Sequence, residues 1–255
     1  MRIQYFSDIH LEFGSKVRHI LDKIVKNANI CVIPGDIGYP FQSSYKQFLD
    51  GISKIFEHII IINGNHEYYQ LGEQKEKTMN EIKIMTKEIC SSIPNVHYLD
   101  NSYIDLPCND TGKIWRFIGT TLWSHIYLRK YTVNDIVNIN EFTVENNNDW
   151  YKENISYLEN SINNSKHDCI IITHHLPSFN LIDKEYKSGQ YQYYNQCFAS
   201  NSEHLIKSPV KAWIYGHTHK PSKEMINDVL CVCNPIGYPN ERNPLEINFN
   251  ETINI

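Results

Sequence analysis

Residues 61–69 read IINGNHEYY. An apolar run of strand character stops abruptly in Gly64-Asn65-His66-Glu67, which sets an amide, an imidazole and a carboxylate side by side. One such cluster is an ordinary polar turn; four more change its meaning. The run at 3–7 leads into Asp8-Ile9-His10, and the run at 30–33 into Pro34-Gly35-Asp36. The run at 169–173 leads into His174-His175, and the run at 212–215 into Gly216-His217-Thr218-His219. Each run is short, rich in Ile, Val or aromatic residues, and bounded by Gly, Pro, Asn or Asp, as strands are. Further strands are expected at 96–99, 115–119, 229–233 and 245–249, and helices at 16–26, 43–55, 74–90, 146–162 and 200–206. In the stretch 74–90, Met79, Ile82, Met85 and Ile89 recur every three or four residues and share one helix face.

Strands that alternate with helices predict an α/β fold with helical crossovers in the first half. Close spacing after Ala212 predicts antiparallel hairpins at the end of the sheet. The polar stretch 127–148 reads as an irregular cap, and no linker or repeat divides residues 1–255, so one domain is expected. In open α/β sheets, sites gather at the carboxyl ends of strands, which brings all five clusters to one crevice.

The bulk composition narrows the partners. The 255 residues carry a net charge of −5, with the Lys and Arg scattered, which gives no nucleic-acid or membrane footprint. No signal-peptide pattern and no bilayer-length apolar run is present, so an intracellular, cytoplasmic protein is expected. The seven cysteines include no CxxC pair and read as reduced, packed thiols.

Carboxylate, imidazole and amide donors without thiolate suit divalent ions such as Mn²⁺, Fe²⁺ or Zn²⁺. Asp8 and His10 lie two apart on an extended segment, as do His217 and His219, so each pair can turn toward one ion. The donors are too many for one ion but suit two. Asp36 stands between the groups in sequence and has two carboxylate oxygens, which makes it the natural bridge.

The order D-x-H, GD, GNHE, H, GHxH resembles the signature of the calcineurin-like metallophosphoesterase superfamily and runs from Asp8 to His219. The stretches GTTLW (119–123), THHLPS (173–178), WIYGHTH (213–219) and CNPIGYPNE (233–241) look like a bacterial-type branch of it. The resemblance implies a four-layer sandwich of two mixed β-sheets flanked by helices. It implies a first metal held by Asp8, His10, Asp36 and His219, and a second held by Asp36, Asn65, His174 and His217. His66 takes the place of a non-ligand histidine that faces the leaving group. His175 is left to touch substrate or to stand behind a ligand, and Glu67 or Asp8 to orient His66. The implied function is a dinuclear phosphohydrolase that cleaves a phosphomonoester or phosphodiester, in a small molecule or nucleotide, by in-line attack of a hydroxide bridging the ions. A non-catalytic scaffold on the same fold and a nuclease are the alternatives. Tyr68, Tyr69, Trp123 and the tyrosines at 191–194 have two readings, a pocket lining that stacks on a substrate ring or ordinary core and rim packing, and the second is expected for most of them.

Overall fold

The computed structural model describes residues 1–128, 133–243 and 246–255. The first half runs β1 (Arg2–Tyr5), α1 (Val17–Leu21), β2 (Ile30–Pro34), α2 (Ser43–Ile52), β3 (His58–Ile62), α3 (Met79–Ser91) and β4 (Val96–Tyr98). It continues through β5 (Ser102–Pro107), β6 (Ile114–Thr120), α4 (Asn134–Asn138), α5 (Val144–Asn163) and β7 (Asp168–Thr173). The chain closes with β8 (Val210–Tyr215), β9 (Ser222–Ile226), β10 (Val229–Cys233) and β11 (Thr252–Asn254). Two mixed sheets result, ordered β11-β1-β2-β3-β4 and β5-β6-β7-β8-β10-β9.

The apolar runs are continuous because the central strands are covered on both faces. Side chains alternate across a strand, and in β2 Ile30 and Val32 join the core between the sheets while Cys31 and Ile33 join an outer core. The same split sends Ile60 and Ile62 inward, with Ile59 and Ile61 outward against Phe48, Leu49 and Ile52 of α2. In the second sheet Ile170, Ile172, Ala212 and Ile214 face the first sheet, while Ile171 and Trp213 pack outward with Leu158 and Ile162 of α5. The result is four layers. Each fully buried Ile stabilises the fold by roughly 1.5–3 kcal/mol.

Several elements depart from expectation. Helix α3 begins at Met79 rather than 74, because Thr78 and Glu81 form a reciprocal cap at its start. Helix α1 stops at Leu21, and the backbone N–H groups of Val25 and Asn27 bond instead to the side chains of Asn250 and Gln4. Residues 200–206 give only the 3-10 turn Glu203–Leu205. Strand β10 lies parallel to β8, and among the described residues the one terminal hairpin is β9–β10. The expected strand at 245–249 is not formed by residues 246–249, and residue 245 lies outside the described residues. Phe249 there packs edge-on against Phe6, with centroids 5.3 Å apart, and β11 takes the place beside β1. Within the stretch 127–148, α4 and the start of α5 are ordered as helix, and residues 129–132 lie outside the described residues. All seven cysteines are buried and unpaired. Among the described residues no helix is long and apolar enough to cross a membrane.

Candidate metal centre

Five strands deliver polar side chains from their carboxyl ends. Asp8 and His10 follow β1, Asp36 follows β2, Asn65 and His66 follow β3, His174 follows β7, and His217 and His219 follow β8. The chain turns sharply to aim them. Asp8, His10, Asp36, His217 and His219 all adopt left-handed backbone, with φ of 54°, 52°, 54°, 69° and 50°. Such conformations cost on the order of 1–3 kcal/mol each and persist only where the surroundings enforce them. Part of that enforcement is visible: Ile9 and His10 donate their N–H groups to the Asp36 carbonyl at 2.7 and 3.0 Å.

The crowding also dictates glycine. At Gly35, with φ of +88°, a Cβ would lie 2.5 Å from the Gly64 nitrogen and 2.7 Å from His174 Nδ1. A Gly35→Ala protein is therefore expected to lose roughly 2–4 kcal/mol of stability in the metal-free state through strain and overpacking. Urea denaturation checks this, and an unchanged midpoint would contradict the close approach described.

The delivered groups form two clusters, and a third brings His10 and His66 together with Glu12, also within 4.8 Å. Asp8, His10 and His219 bring ligand atoms within 4.8 Å of one another, and so do Asp36, His174 and His217. His10 Nε2 lies 3.1 Å from His219 Nε2, which itself lies 3.4 Å from Asp8 Oδ1. Asn65 Oδ1 joins the second cluster 3.0 Å from His174 Nε2. One atom belongs to both: Asp36 Oδ2 is 3.3 Å from His174 Nε2 and 3.8 Å from His10 Nε2.

Three of the rings share a tautomeric arrangement. His174 Nδ1 faces the Pro34 carbonyl at 2.8 Å, His10 Nδ1 faces Glu12 Oε1 at 2.9 Å, and His219 Nδ1 faces Glu241 Oε2 at 2.6 Å. Each outer acceptor holds the proton on Nδ1 and leaves the Nε2 lone pair aimed inward, as metal-binding histidines require. The two inward-facing nitrogens of His10 and His219, 3.1 Å apart, can share a proton or face one ion, and the imidazole, carboxylate and amide donors together fit divalent first-row ions.

The neighbouring carboxylates also favour protons on the rings of His174 and His219. Burial opposes the charged form of His174, but Asp36 outweighs it and raises the pKa to about 9. Burial is likewise overcome at His219, where Asp8 and Glu241 raise the pKa to about 10. Against their own burial, Asp8 is held below the ordinary carboxylate range by His219 and His174, and Asp36 by His174 and His66.

A family model described as calcineurin-like phosphoesterase matches residues 1–221. The chain belongs to the calcineurin-like phosphoesterase family. An uncharacterized protein, L509, of Acanthamoeba polyphaga mimivirus is 34% identical over 276 residues, covering 98% of this chain and 95% of that protein. The phosphopantetheinyl hydrolase of Mycobacterium tuberculosis is similar in fold, with a TM-score of 0.77 at 12% identity over 98% of this chain and 95% of that one. TT1561 of Thermus thermophilus aligns with a TM-score of 0.58 at 13% identity over 92% and 88% of the two chains. These alignments cover both mixed sheets of the calcineurin-like phosphoesterase fold.

Around His66 this member of the calcineurin-like phosphoesterases departs from the sequence reading. Neither Glu67 nor Asp8 orients the ring. Glu12 does so: its Oε1 lies 3.0 Å from His66 Nδ1 and 2.9 Å from His10 Nδ1, so one buried oxygen serves both rings. Glu67 is fully buried and accepts the backbone N–H groups of Asp36, Ile37 and Gly64 at 3.0, 2.7 and 2.7 Å, which pins the loop after β2 to the loop after β3. Burial, with Asp36 alongside, pushes its carboxyl up to about 8 against those donors. Asp8 is held by the Ser7 hydroxyl, the His217 N–H and His219.

His66 is stacked on Tyr69 at 4.1 Å, and its Nε2 is 2.9 Å from the Tyr238 hydroxyl. Burial disfavours the charged ring, but Asp36 and Glu12 outweigh it and hold the His66 pKa above the usual value. His175 is buried between Trp123 and His217, with ring centroids at 5.4 and 4.3 Å, and burial with His174 nearby drives its pKa down to about 3.

The centre opens into a cavity of about 560 Å³. Tyr186, Tyr191, Tyr194 and Phe198 form much of one wall, and Phe198 stacks on His217 at 4.7 Å. The charged lining beyond the clusters is the carboxylates Asp135 and Glu241; among the described lining residues none is Lys or Arg. Glu12 stands two residues after His10, and that proximity was the only signal for it in the sequence. Asp135 arrives from a distant segment with no motif of its own, whereas Tyr238 and Glu241 lie within the stretch CNPIGYPNE, which gave neither of them a role.

Proposed function

We propose that this protein is a dinuclear metal-dependent phosphohydrolase, built as one domain, that acts on a small phosphomonoester or phosphodiester. The observation that supports it best is the shared Asp36 Oδ2, which reaches toward His10 on one side and His174 on the other. In this reading Asp8, His10, Asp36 and His219 hold one divalent ion, and Asp36, Asn65, His174 and His217 hold the other. Such a pair would supply an activated water and would neutralise the charge of a bound phosphate.

The chain's own contribution is proton delivery and leaving-group binding. His66 is not spent on either ion in this reading, and Glu12 keeps a proton on its Nδ1, so Nε2 is the atom that hands a proton to the departing oxygen. Tyr238 donates to or accepts from that same Nε2 until substrate arrives. This equipment argues against a non-catalytic scaffold, which has no use for a buried, oriented proton donor.

The cavity wall supports one substrate class over others. Aromatic rings and two carboxylates favour a flat, uncharged leaving group and disfavour one that carries a second phosphate. The test is a panel of phosphomonoesters and phosphodiesters, with phosphopantetheinyl and nucleoside monophosphate substrates included, assayed with Mn²⁺ and again after chelation. Activity that survives exhaustive chelation would end the proposal. Tyr191→Ala is expected to raise KM about 3–10-fold for an aromatic leaving group and to leave kcat unchanged, which is one lost stacking contact. An equal KM for wild type and variant would remove the aromatic wall from substrate binding.

A further inference from the structure

An asparagine amide has two ends of nearly equal shape and opposite chemistry, so a neighbour must decide which end faces where. Asn65 turns its Oδ1 toward His174 and the second cluster, while its Nδ2 donates to Asp135 Oδ1 at 2.7 Å. A half-turn of the amide would set its oxygen against the Asp135 oxygen and aim two N–H groups at the donors around Asp36. The same Asp135 oxygen accepts the Tyr69 hydroxyl at 2.8 Å, and the Tyr69 ring is the one stacked on His66. Asp135 is 6% exposed and sits in α4, seventy positions along the chain from Asn65.

We propose that Asp135 is the positioning residue of the second metal site: it locks the Asn65 oxygen toward the ion and ties helix α4 to the centre. The inference rests on the reading of Asn65 as a ligand. Its physical basis is that groups behind a ligand orient it, and that their loss weakens metal binding about 10–100-fold. A short helix in the segment above the core thereby becomes part of the metal site. The Tyr69 bond extends the effect to the support of His66.

The experiment is an equilibrium titration of metal-free protein with Mn²⁺, with free Mn²⁺ counted by electron paramagnetic resonance. Wild type, Asp135→Ala, Asp135→Leu and Asp135→Asn are compared, and Leu is included because it fills the space that Ala leaves empty. Wild type is expected to bind two ions. In the Ala and Leu variants one ion should bind about 10–100-fold more weakly while the other is unchanged. Asp135→Asn keeps an acceptor oxygen in place and should restore the weaker ion to near wild-type affinity, a rescue that a merely structural role would not predict. Wild-type affinity for both ions in the Ala and Leu variants overturns the inference and leaves the dinuclear reading standing. Equal weakening in the Asn variant overturns it as well. A wild-type protein that fails to bind two ions overturns both.

Discussion

An Asp36→Asn protein is expected to fold and to lose at least about 10³-fold in kcat/KM, because a bridge between two Lewis acids is worth several kcal/mol and each 1.4 kcal/mol is about tenfold in rate. The change is small in shape. Asp36 Oδ1 accepts the His66 backbone N–H at 2.9 Å, and an asparagine oxygen can keep that bond. What is lost is Oδ2, the atom that stands between the clusters, replaced by an NH₂ that cannot ligate. The variant should therefore retain its circular dichroism and bind at most one Mn²⁺ tightly. Full turnover in this variant would remove the shared carboxylate from the account.

His66→Ala tests the other half of the site, and its expected pattern is different. Both ions should remain, since the ring is not among the proposed ligands and Glu12 still holds His10 Nδ1. Turnover of an alkyl phosphate, whose alkoxide needs a proton, should fall about 10²–10⁴-fold. Turnover of a nitrophenyl ester, whose phenolate leaves unaided, should fall far less. A steady-state comparison of the two substrates in wild type and variant checks this. Equal losses on both would show that His66 binds phosphate rather than protonating a leaving group. Glu12→Ala should reproduce part of the leaving-group dependence, because the ring then loses the acceptor at 3.0 Å that fixes its tautomer.

The strand ends were legible because burial forces a sharp boundary. A central strand covered on both faces reads as an unbroken apolar run, such as residues 59–62, and the first polar residues after it must lie at the strand's carboxyl end. Edge strands lack that signature. β5 alternates exposed with half-buried positions and buries only Leu106, β9 is mostly exposed with charged residues, and β11 has three residues, so their sequences resemble loops. The stretch 245–249 misled for the opposite reason, since Phe249 is apolar to fill the outer core and not to build a strand. The second ring of groups was illegible for a similar cause. Asp135 and Glu241 act only through an amide and a histidine from distant segments, and Glu12, two residues from His10, carries no local record of His66.

The decisive measurement is the anomalous diffraction of crystals of the protein grown with Mn²⁺. Two peaks separated by about 3.5–4 Å, with Asp36 touching both and His66 touching neither, are the expected result. A single peak, or a pair that Asp36 does not bridge, would contradict it.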